Sequence, residues 1–174
     1  MIHKYKPCRL LEFGAGVGRL FSEYADIREL TICDVSPTYL EKSRSAANRL
    51  GLRAEFYLCP EVDVTPFVDE EFDIVVAVSV LLHQRPEEIE SVISELARIS
   101  RKVVVISWCE RGSLVDKVTR NTHCYMHDYH SLCCRNGWEM QDIEYVERQI
   151  YFTYGKHYHN IARHLKENDI LNVL

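Results

Sequence analysis

The residues best suited to chemistry lie in one short run, Glu12-Phe13-Gly14-Ala15-Gly16-Val17-Gly18, followed at a distance by Asp34 and then by His83. Glycines at alternate positions permit a tight turn and let a ligand press against the backbone. A helix opening from that turn would offer N–H groups without intrahelical partners to an anionic group such as a carboxylate. Asp34 ends an apolar run, and a carboxylate there can accept two hydrogen bonds from a pair of ribose-type hydroxyls. His83 follows another apolar run, and an imidazole takes up and releases protons near neutrality. Together these residues could hold a small polar ligand with a base beside it.

They can converge only if the elements around them place them at one edge, and the pattern provides for this. Residues 8–13 predict a strand, and residues 17–25 predict a helix with Val17, Leu20, Phe21 and Tyr24 on one face. Residues 29–33 predict a second strand. Ser36-Pro37 opens a helix, Ser as the cap and Pro as the first helical residue, and Gly51 closes it. Residues 54–58 alternate as a third strand, and residues 60–71 form a loop. Residues 73–78 are apolar on both faces, as in a central parallel strand covered on both sides. Pro86 should start a helix with Glu87 and Glu88 in its first turn and Ile89, Val92, Ile93, Leu96 and Ala97 as its inner stripe, ending near Arg98, Arg101 and Lys102. Residues 103–107 predict a fifth strand. A helix near 126–135 ends at Asn136-Gly137, two antiparallel strands span 138–146 and 149–154, and the tail 156–174 is weakly helical. Alternating strands and helices imply a doubly wound, mostly parallel α/β sheet with right-handed crossovers. Ligands of such sheets sit beyond the carboxyl ends of the strands, where the strand order reverses.

Bulk properties limit the partners. The 174 residues suit one domain, 1–174, with a ligand-binding half at 1–107 and a substrate side with closing strands at 108–174. With 47% hydrophobic and 27% charged residues a buried core is expected and disorder is not. No apolar run is long enough to span a bilayer, and the polar start lacks the apolar core of a secretory signal. Seven cysteines, an odd number without regular spacing, read as reduced thiols in a cytoplasmic protein, with Cys8, Cys33 and Cys59 acting as small buried hydrophobes. A net charge of −5 argues against a generic nucleic-acid binder, whose affinity rests on phosphate contacts. Arg98, Arg101, Lys102, Arg111, Lys117 and Arg120 could form a local basic patch, but most of them read as solvated surface charges.

Two cofactor families use a glycine turn of this kind. The dinucleotide pattern, Gly-x-Gly-x-x-Gly, requires a third glycine at position 19, where this chain has Arg19. The observed spacing, with Glu12 ahead of it, resembles the first motif of class I S-adenosylmethionine-dependent methyltransferases. Asp34-Val35-Ser36-Pro37-Thr38-Tyr39-Leu40-Glu41-Lys42-Ser43 resembles the segment after the second strand in that family, and Pro66-Phe67 through Phe72-Asp73-Ile74-Val75-Val76 into Ser79-Val80-Leu81-Leu82-His83 resembles its fourth-strand motif. The likeness spans roughly residues 8–107. It implies a seven-stranded Rossmann-like sheet with its last strand antiparallel and S-adenosylmethionine as cofactor. By the same resemblance Glu12, Gly14, Ala15, Gly16 and Gly18 form the cofactor turn, and Asp34 holds the ribose. Val35 and Tyr39 lie against the adenine, Glu61 or Asp63 takes the adenine amino group, and Ser79 and Val80 border the methionine moiety. The chain departs from the family in having about seven residues before the first strand, and Ile99-Ser100-Arg101-Lys102 where a Gly-Gly turn is common. The first departure implies an open pocket, or one closed by a second copy or a partner subunit.

Methyl transfer is an in-line displacement that needs alignment and exclusion of water, and a base only where the acceptor must lose a proton. His83 is the candidate base and substrate residue; the bland reading is that it merely ends a strand. Tyr125, His127 and Asp128 follow the fifth strand and are candidate substrate contacts. His123, His127 and His130 on one helical face would suit zinc, but no Cys-x-x-Cys accompanies them and no metal is expected. The tail residues His157, His159 and His164 read as surface. The place after the fourth strand holds Ser79-Val80-Leu81-Leu82, not the Asn/Asp-Pro-Pro-Tyr of enzymes that methylate base amines. The leading expectation is therefore a methyltransferase with a small-molecule acceptor. The alternatives are a non-catalytic cofactor-fold subunit and, less favoured, an NAD-linked oxidoreductase.

Overall fold

A computed structural model of the chain describes residues 2–109, 124–125, 127–146 and 149–156, with side chains from 102 to 109 and from 145 to 150 left out of account. Within these residues seven strands form one sheet: β1 (Arg9–Phe13), β2 (Glu29–Asp34), β3 (Ala54–Leu58), β4 (Phe72–Ala77), β5 (Ser100–Cys109), β6 (Trp138–Val146) and β7 (Gln149–Lys156). Their spatial order is β3-β2-β1-β4-β5-β7-β6. The pairs from β3 across to β5 are parallel, while β7 runs antiparallel to both β5 and β6. The doubly wound sheet with one reversed strand is the expected architecture. The order turns about at β1 and β4, so the carboxyl ends of those two strands flank the natural ligand crevice.

Strand alternation divides the core between the two faces of the sheet. Leu10, Ile32, Ile74 and Val76 meet Phe21, Tyr24, Ala46 and Ala47 on one side. Leu11, Phe13 and Val75 meet Val92, Leu96, Tyr129 and Leu132 on the other. All six residues of β4 are buried, as a central strand covered on both faces requires.

Three α-helices are described: α1 (Pro37–Leu50), α2 (Ile89–Ile99) and α3 (Tyr129–Arg135). The Ser36 side chain accepts from Tyr39 N–H at the start of α1, and Gly51 closes the helix at φ 69° with its N–H turned back to Ala47 and Asn48. α2 starts at Ile89, after a turn over Arg85–Glu88, rather than at Pro86. Asp128 caps α3 by accepting from Ser131 N–H, so that helix begins later than expected. β5 and β7 are longer than their sequence patterns, because antiparallel pairing continues from Val103↔Gly155 to Cys109↔Gln149.

The crossover from β1 to β2 differs most from expectation. Instead of a helix over 17–25 it contains one short 3-10 turn, Phe21–Tyr24. Gly14, Gly16 and Gly18 all have positive φ (72°, 58° and 81°), so no right-handed helix can form through them. Of the predicted face, Phe21 and Tyr24 are in the core, Leu20 is partly buried and Val17 is exposed. Cys8, expected to be buried, is exposed. The tail from 157 onward, with His157, His159 and His164, lies outside the described residues, as do His123, Arg111, Lys117 and Arg120.

Candidate functional site

The glycine turn is clamped to the end of β2. Gly14 N–H and Ala15 N–H both donate to the Cys33 carbonyl, at 2.9 and 3.2 Å, and Gly16 N–H donates to Asp34 Oδ2 at 2.8 Å. The other oxygen of Asp34 accepts from Ser36 N–H at 2.9 Å, just before α1. A buried carboxylate thus fixes the turn after β1 relative to the start of α1. Each of its oxygens has one backbone donor and keeps capacity for one more. This corrects one expectation: the turn's N–H groups at 14, 15 and 16 are already used, and no helix opens there to receive an anion.

The glycines differ in what surrounds them. A Cβ on Gly14 would lie 2.3 Å from Val80 Cγ2, so the turn after β1 and the segment after β4 touch where only glycine fits. A Cβ on Gly16 would meet nothing within 4 Å, so that position faces open space. A Cβ on Gly18 would run into the Phe21 ring at 2.6 Å, and Gly18 borders neither cavity described next.

Two cavities meet at this turn and share Gly14, Gly16, Tyr39 and Ser79. The larger, about 280 Å³, runs between Asp34, Val35 and Tyr39 on one side and Val62, Val80 and His83 on the other, with Phe13, Cys33 and Cys59 also in its lining. The smaller, about 220 Å³, lies over Glu12, Ala15, Arg19 and Leu20. Val35 and Tyr39 are half exposed on the rim although apolar, as expected of side chains a flat ligand would cover. Ser79 has a positive φ of 57°, an unusual backbone for a residue other than glycine, where the cavities join.

Glu12 is 4% exposed, and among the described residues neither its Oε2 nor the buried Tyr24 hydroxyl has a hydrogen-bond partner. Burial pushes the Glu12 carboxyl up to about 8, against smaller lowering influences from the Arg19 charge and the nearby Tyr24 hydroxyl. Arg19, which stands where a dinucleotide loop would have its third glycine, is an exposed cation on the smaller cavity. Only its position just past the third glycine could have signalled this.

The wall beyond β4 is a 3-10 turn, Leu81–His83, backed by the segment before α3. Tyr125 N–H donates to the Leu82 carbonyl at 2.7 Å, His127 Nε2 bonds the Gln84 carbonyl at 3.0 Å, and Cys124 Sγ lies 3.5 Å from His83 Nδ1. Burial lowers His127 below the usual imidazole range, so it is a neutral clip between the two segments. Asp128 is engaged with Ser131 as the helix cap, and hydrogen bonds from Ser131 hold it low. Of the candidate substrate residues, only His83 borders the crevice. His127 precedes α3 and His130 lies within it, so the two do not share a helical face. Among the described residues no group of three or more His, Cys, Asp or Glu is placed to hold a metal ion.

Across from Tyr39 the loop 59–71 contributes Cys59 and Val62, whereas Glu61 and Asp63 are exposed and do not line the crevice. The loop is tied to α2. Glu95 Oε1 accepts from Thr65 N–H at 2.8 Å and from the Thr65 hydroxyl, and Arg98 bonds Glu95, Asp69 and the Phe67 carbonyl, each at 2.7 Å. Burial would raise Glu95, but the hydrogen bonds from Arg98 and Thr65 outweigh it and keep the carboxyl below its ordinary value. Arg98 and Arg101 are ion-paired rather than part of a free basic patch.

A crevice at the strand-order reversal, with a carboxylate behind the first turn and an open glycine within it, defines a cofactor-binding α/β domain of the nucleoside type. The chain belongs to the methyltransferase-domain family, whose model matches residues 10–102, more than half of its length. S-adenosylmethionine is the cofactor of this domain. No curated protein sequence matched the chain. Among solved structures it resembles magnesium protoporphyrin IX methyltransferase from Synechocystis PCC 6803 with bound S-adenosylhomocysteine, at 18% identity over 86% of this chain and 74% of that one, with a TM-score of 0.73. It also resembles an S-adenosylmethionine-dependent methyltransferase from Methanosarcina mazei (18% identity, 89% and 96% covered, TM-score 0.71). A third likeness is to the [4+2]-cyclase SpnF (19% identity, 86% and 74% covered, TM-score 0.70). At these identities the likeness establishes the fold. Among the described residues no helix is long and apolar enough to cross a membrane.

Proposed function

We propose that the chain transfers a methyl group from S-adenosylmethionine to a small-molecule acceptor that enters beside His83. The observation that carries this is the two-lobed crevice, with Asp34 at one lobe, the orphaned Glu12 oxygen at the other, and open Gly16 between them. The residues present fit the cofactor. Asp34 would accept the ribose hydroxyls with its spare capacity, Val35 and Tyr39 would cover the adenine, and the Gly14–Gly16 backbone would lie along the adenosyl group. Glu12 would meet the α-ammonium, which supplies the partner its buried oxygen lacks, and Arg19 would meet the α-carboxylate. Ser79, shared by the two cavities, and Val80 next to it in the chain would border the methionine moiety. Glu61 and Gly18 are not used in this reading, nor are His127 and Asp128, which are occupied in local structure.

S-adenosylmethionine, when bound, supplies an electrophilic methyl group on a sulfonium. The protein's part is to align the acceptor and exclude water. With Nδ1 of His83 turned to Cys124, Nε2 is the nitrogen left to take a proton from an acceptor hydroxyl or amine. The net charge of −5 and the Ser79-Val80-Leu81-Leu82 run favour a small molecule over nucleic acid.

The likeness to a cyclase motivates a second reading, in which the cofactor fold binds its ligand without transferring methyl groups. Isothermal titration with S-adenosylmethionine, combined with a tritiated-methyl screen of small hydroxyl, amine and carboxylate acceptors, separates the two. Binding with label transfer supports the methyltransferase. Binding without transfer to any acceptor supports the second reading, and tight NADH binding in place of S-adenosylmethionine would overturn both.

A further inference from the structure

Cys124 is set against His83 at the mouth of the crevice, and neither the family nor the cofactor requires a thiol there. Its Sγ lies 3.5 Å from His83 Nδ1. The hydrogen bond from Tyr125 N–H to the Leu82 carbonyl, 2.7 Å, holds the two backbones in this register. The His127–Gln84 bond fastens the same two segments a second time. The thiol is partly exposed and the imidazole exposed, so a reagent can reach both. A thiol in contact with an imidazole, on a rigid frame and open to solvent, is the arrangement of an activated sulfur nucleophile. The other thiols near the crevice, Cys33 and Cys59, are buried.

We propose that Cys124 is a modification site, activated by His83, that takes up low-molecular-weight disulfides and soft electrophiles and thereby obstructs the acceptor side of the crevice. In the disulfide reaction the His83 tautomer protonated at Nε2 receives the thiol proton at Nδ1, and the Cys124 sulfur attacks one sulfur of the disulfide; the other tautomer is the one that serves an acceptor at Nε2. A Cys124–S–S–R bond forms, the R–S–S–R bond breaks, and R–S⁻ leaves. The Cys124 sulfur passes from the thiolate to the disulfide level as the departing sulfur passes from the disulfide to the thiolate level, so no further oxidant is needed, and a free thiol reverses the step. The adduct would stand beside His83, where the acceptor is proposed to enter, and away from Asp34 and Glu12, so cofactor binding would survive.

The chemical part of this proposal does not depend on methyl transfer, and its test is independent of it. The full chain is treated with limiting N-ethylmaleimide, or with oxidised glutathione, near neutral pH, and each cysteine is followed by peptide mass spectrometry. Cys8 is the internal reference. It is more exposed and lies at the opposite end of β1, whereas Cys134 is unsuitable because His130 lies 3.7 Å away. Cys124 should react on the order of tenfold faster than Cys8 despite its lower exposure. His83→Gln should bring the Cys124 rate down to or below that of Cys8 without changing Cys8 itself, while continued protection of the buried Cys33 and Cys59 reports that the variant is folded. If Cys124 reacts no faster than Cys8, or if His83→Gln leaves its rate unchanged, the activation is refuted. If the glutathione adduct at Cys124 abolishes S-adenosylhomocysteine binding, the placement on the acceptor side is refuted.

Discussion

Replacing Glu12 with Gln should change how stability depends on pH, with a sign fixed by burial. The carboxyl is raised from an ordinary 4.5 to about 8 in the folded protein, chiefly by desolvation. Between these values the folded state holds a proton that the unfolded state has released. Unfolding therefore liberates a proton, and the free energy of unfolding falls by about 1.4 kcal/mol per pH unit. Stability tied to this group is fully present below pH 4.5 and is lost as pH rises through about 8. Glutamine cannot ionise, so the Glu12→Gln variant escapes this loss. In urea titrations the variant should gain on the parent by about 3 kcal/mol between roughly pH 5 and pH 8. The same variant should bind S-adenosylmethionine more weakly, on the order of tenfold or more, because a neutral amide replaces the charge proposed to meet the ammonium. Cofactor binding to the parent should expel a proton near neutral pH, visible as a binding enthalpy that varies with the ionisation enthalpy of the buffer. Parallel stability-against-pH curves for parent and variant would show that Glu12 ionises freely in the folded protein and would refute the reasoning.

Three further outcomes follow from the geometry. Gly14→Ala, whose Cβ would lie 2.3 Å from Val80 Cγ2, should cost about 1–3 kcal/mol in urea unfolding, and adding Val80→Ala should recover part of it; an additive double mutant would show that the two positions do not touch. Asp34→Ala frees Gly16 N–H and Ser36 N–H and removes the diol acceptor, so calorimetry should show cofactor affinity reduced by about a hundredfold, whereas unchanged affinity would place the ribose elsewhere. Glu95→Ala removes the acceptor that Arg98 and Thr65 share, while Arg98 keeps Asp69 and the Phe67 carbonyl, and should cost about 1–2 kcal/mol. Because the folded-state Glu95 value lies below 4.5, the parent's advantage should be present above that pH and shrink as pH falls below it; an advantage that persists in acid would contradict this.

The strands and their order of appearance were legible because period-two alternation and fully apolar runs leave few other structures. The frame of α1 was legible too, since Ser36, Pro37 and Gly51 each have a local stereochemical preference that the fold uses. The site was readable where a residue acts through its position on a strand end. Asp34, Gly14, Gly16, Ser79, Val80 and His83 all fall on the crevice. It was less readable where tertiary contacts decide. Apolar spacing over 17–25 implied a helix, but three positive-φ glycines leave room for one 3-10 turn. Gly18 reads like the other two glycines in sequence, yet the Phe21 ring takes the space beside it. In the loop after β3, Val62 lines the crevice, whereas its acidic neighbours Glu61 and Asp63 are exposed outside it. His127 and Asp128 have the side chains of catalytic residues, but one clips two segments and the other caps α3. The partnerless oxygen of Glu12 had no sequence signal beyond an acid before a glycine, because its burial is set by the tertiary fold.

A crystal structure of the chain soaked with S-adenosylhomocysteine probes the cofactor crevice most directly. The adenosine is expected against Val35 and Tyr39 with both ribose hydroxyls on Asp34, and the amino-acid end over Glu12 and Arg19. Ligand bound at any other edge of the sheet, or no binding at concentrations that saturate family members, would contradict the proposed site.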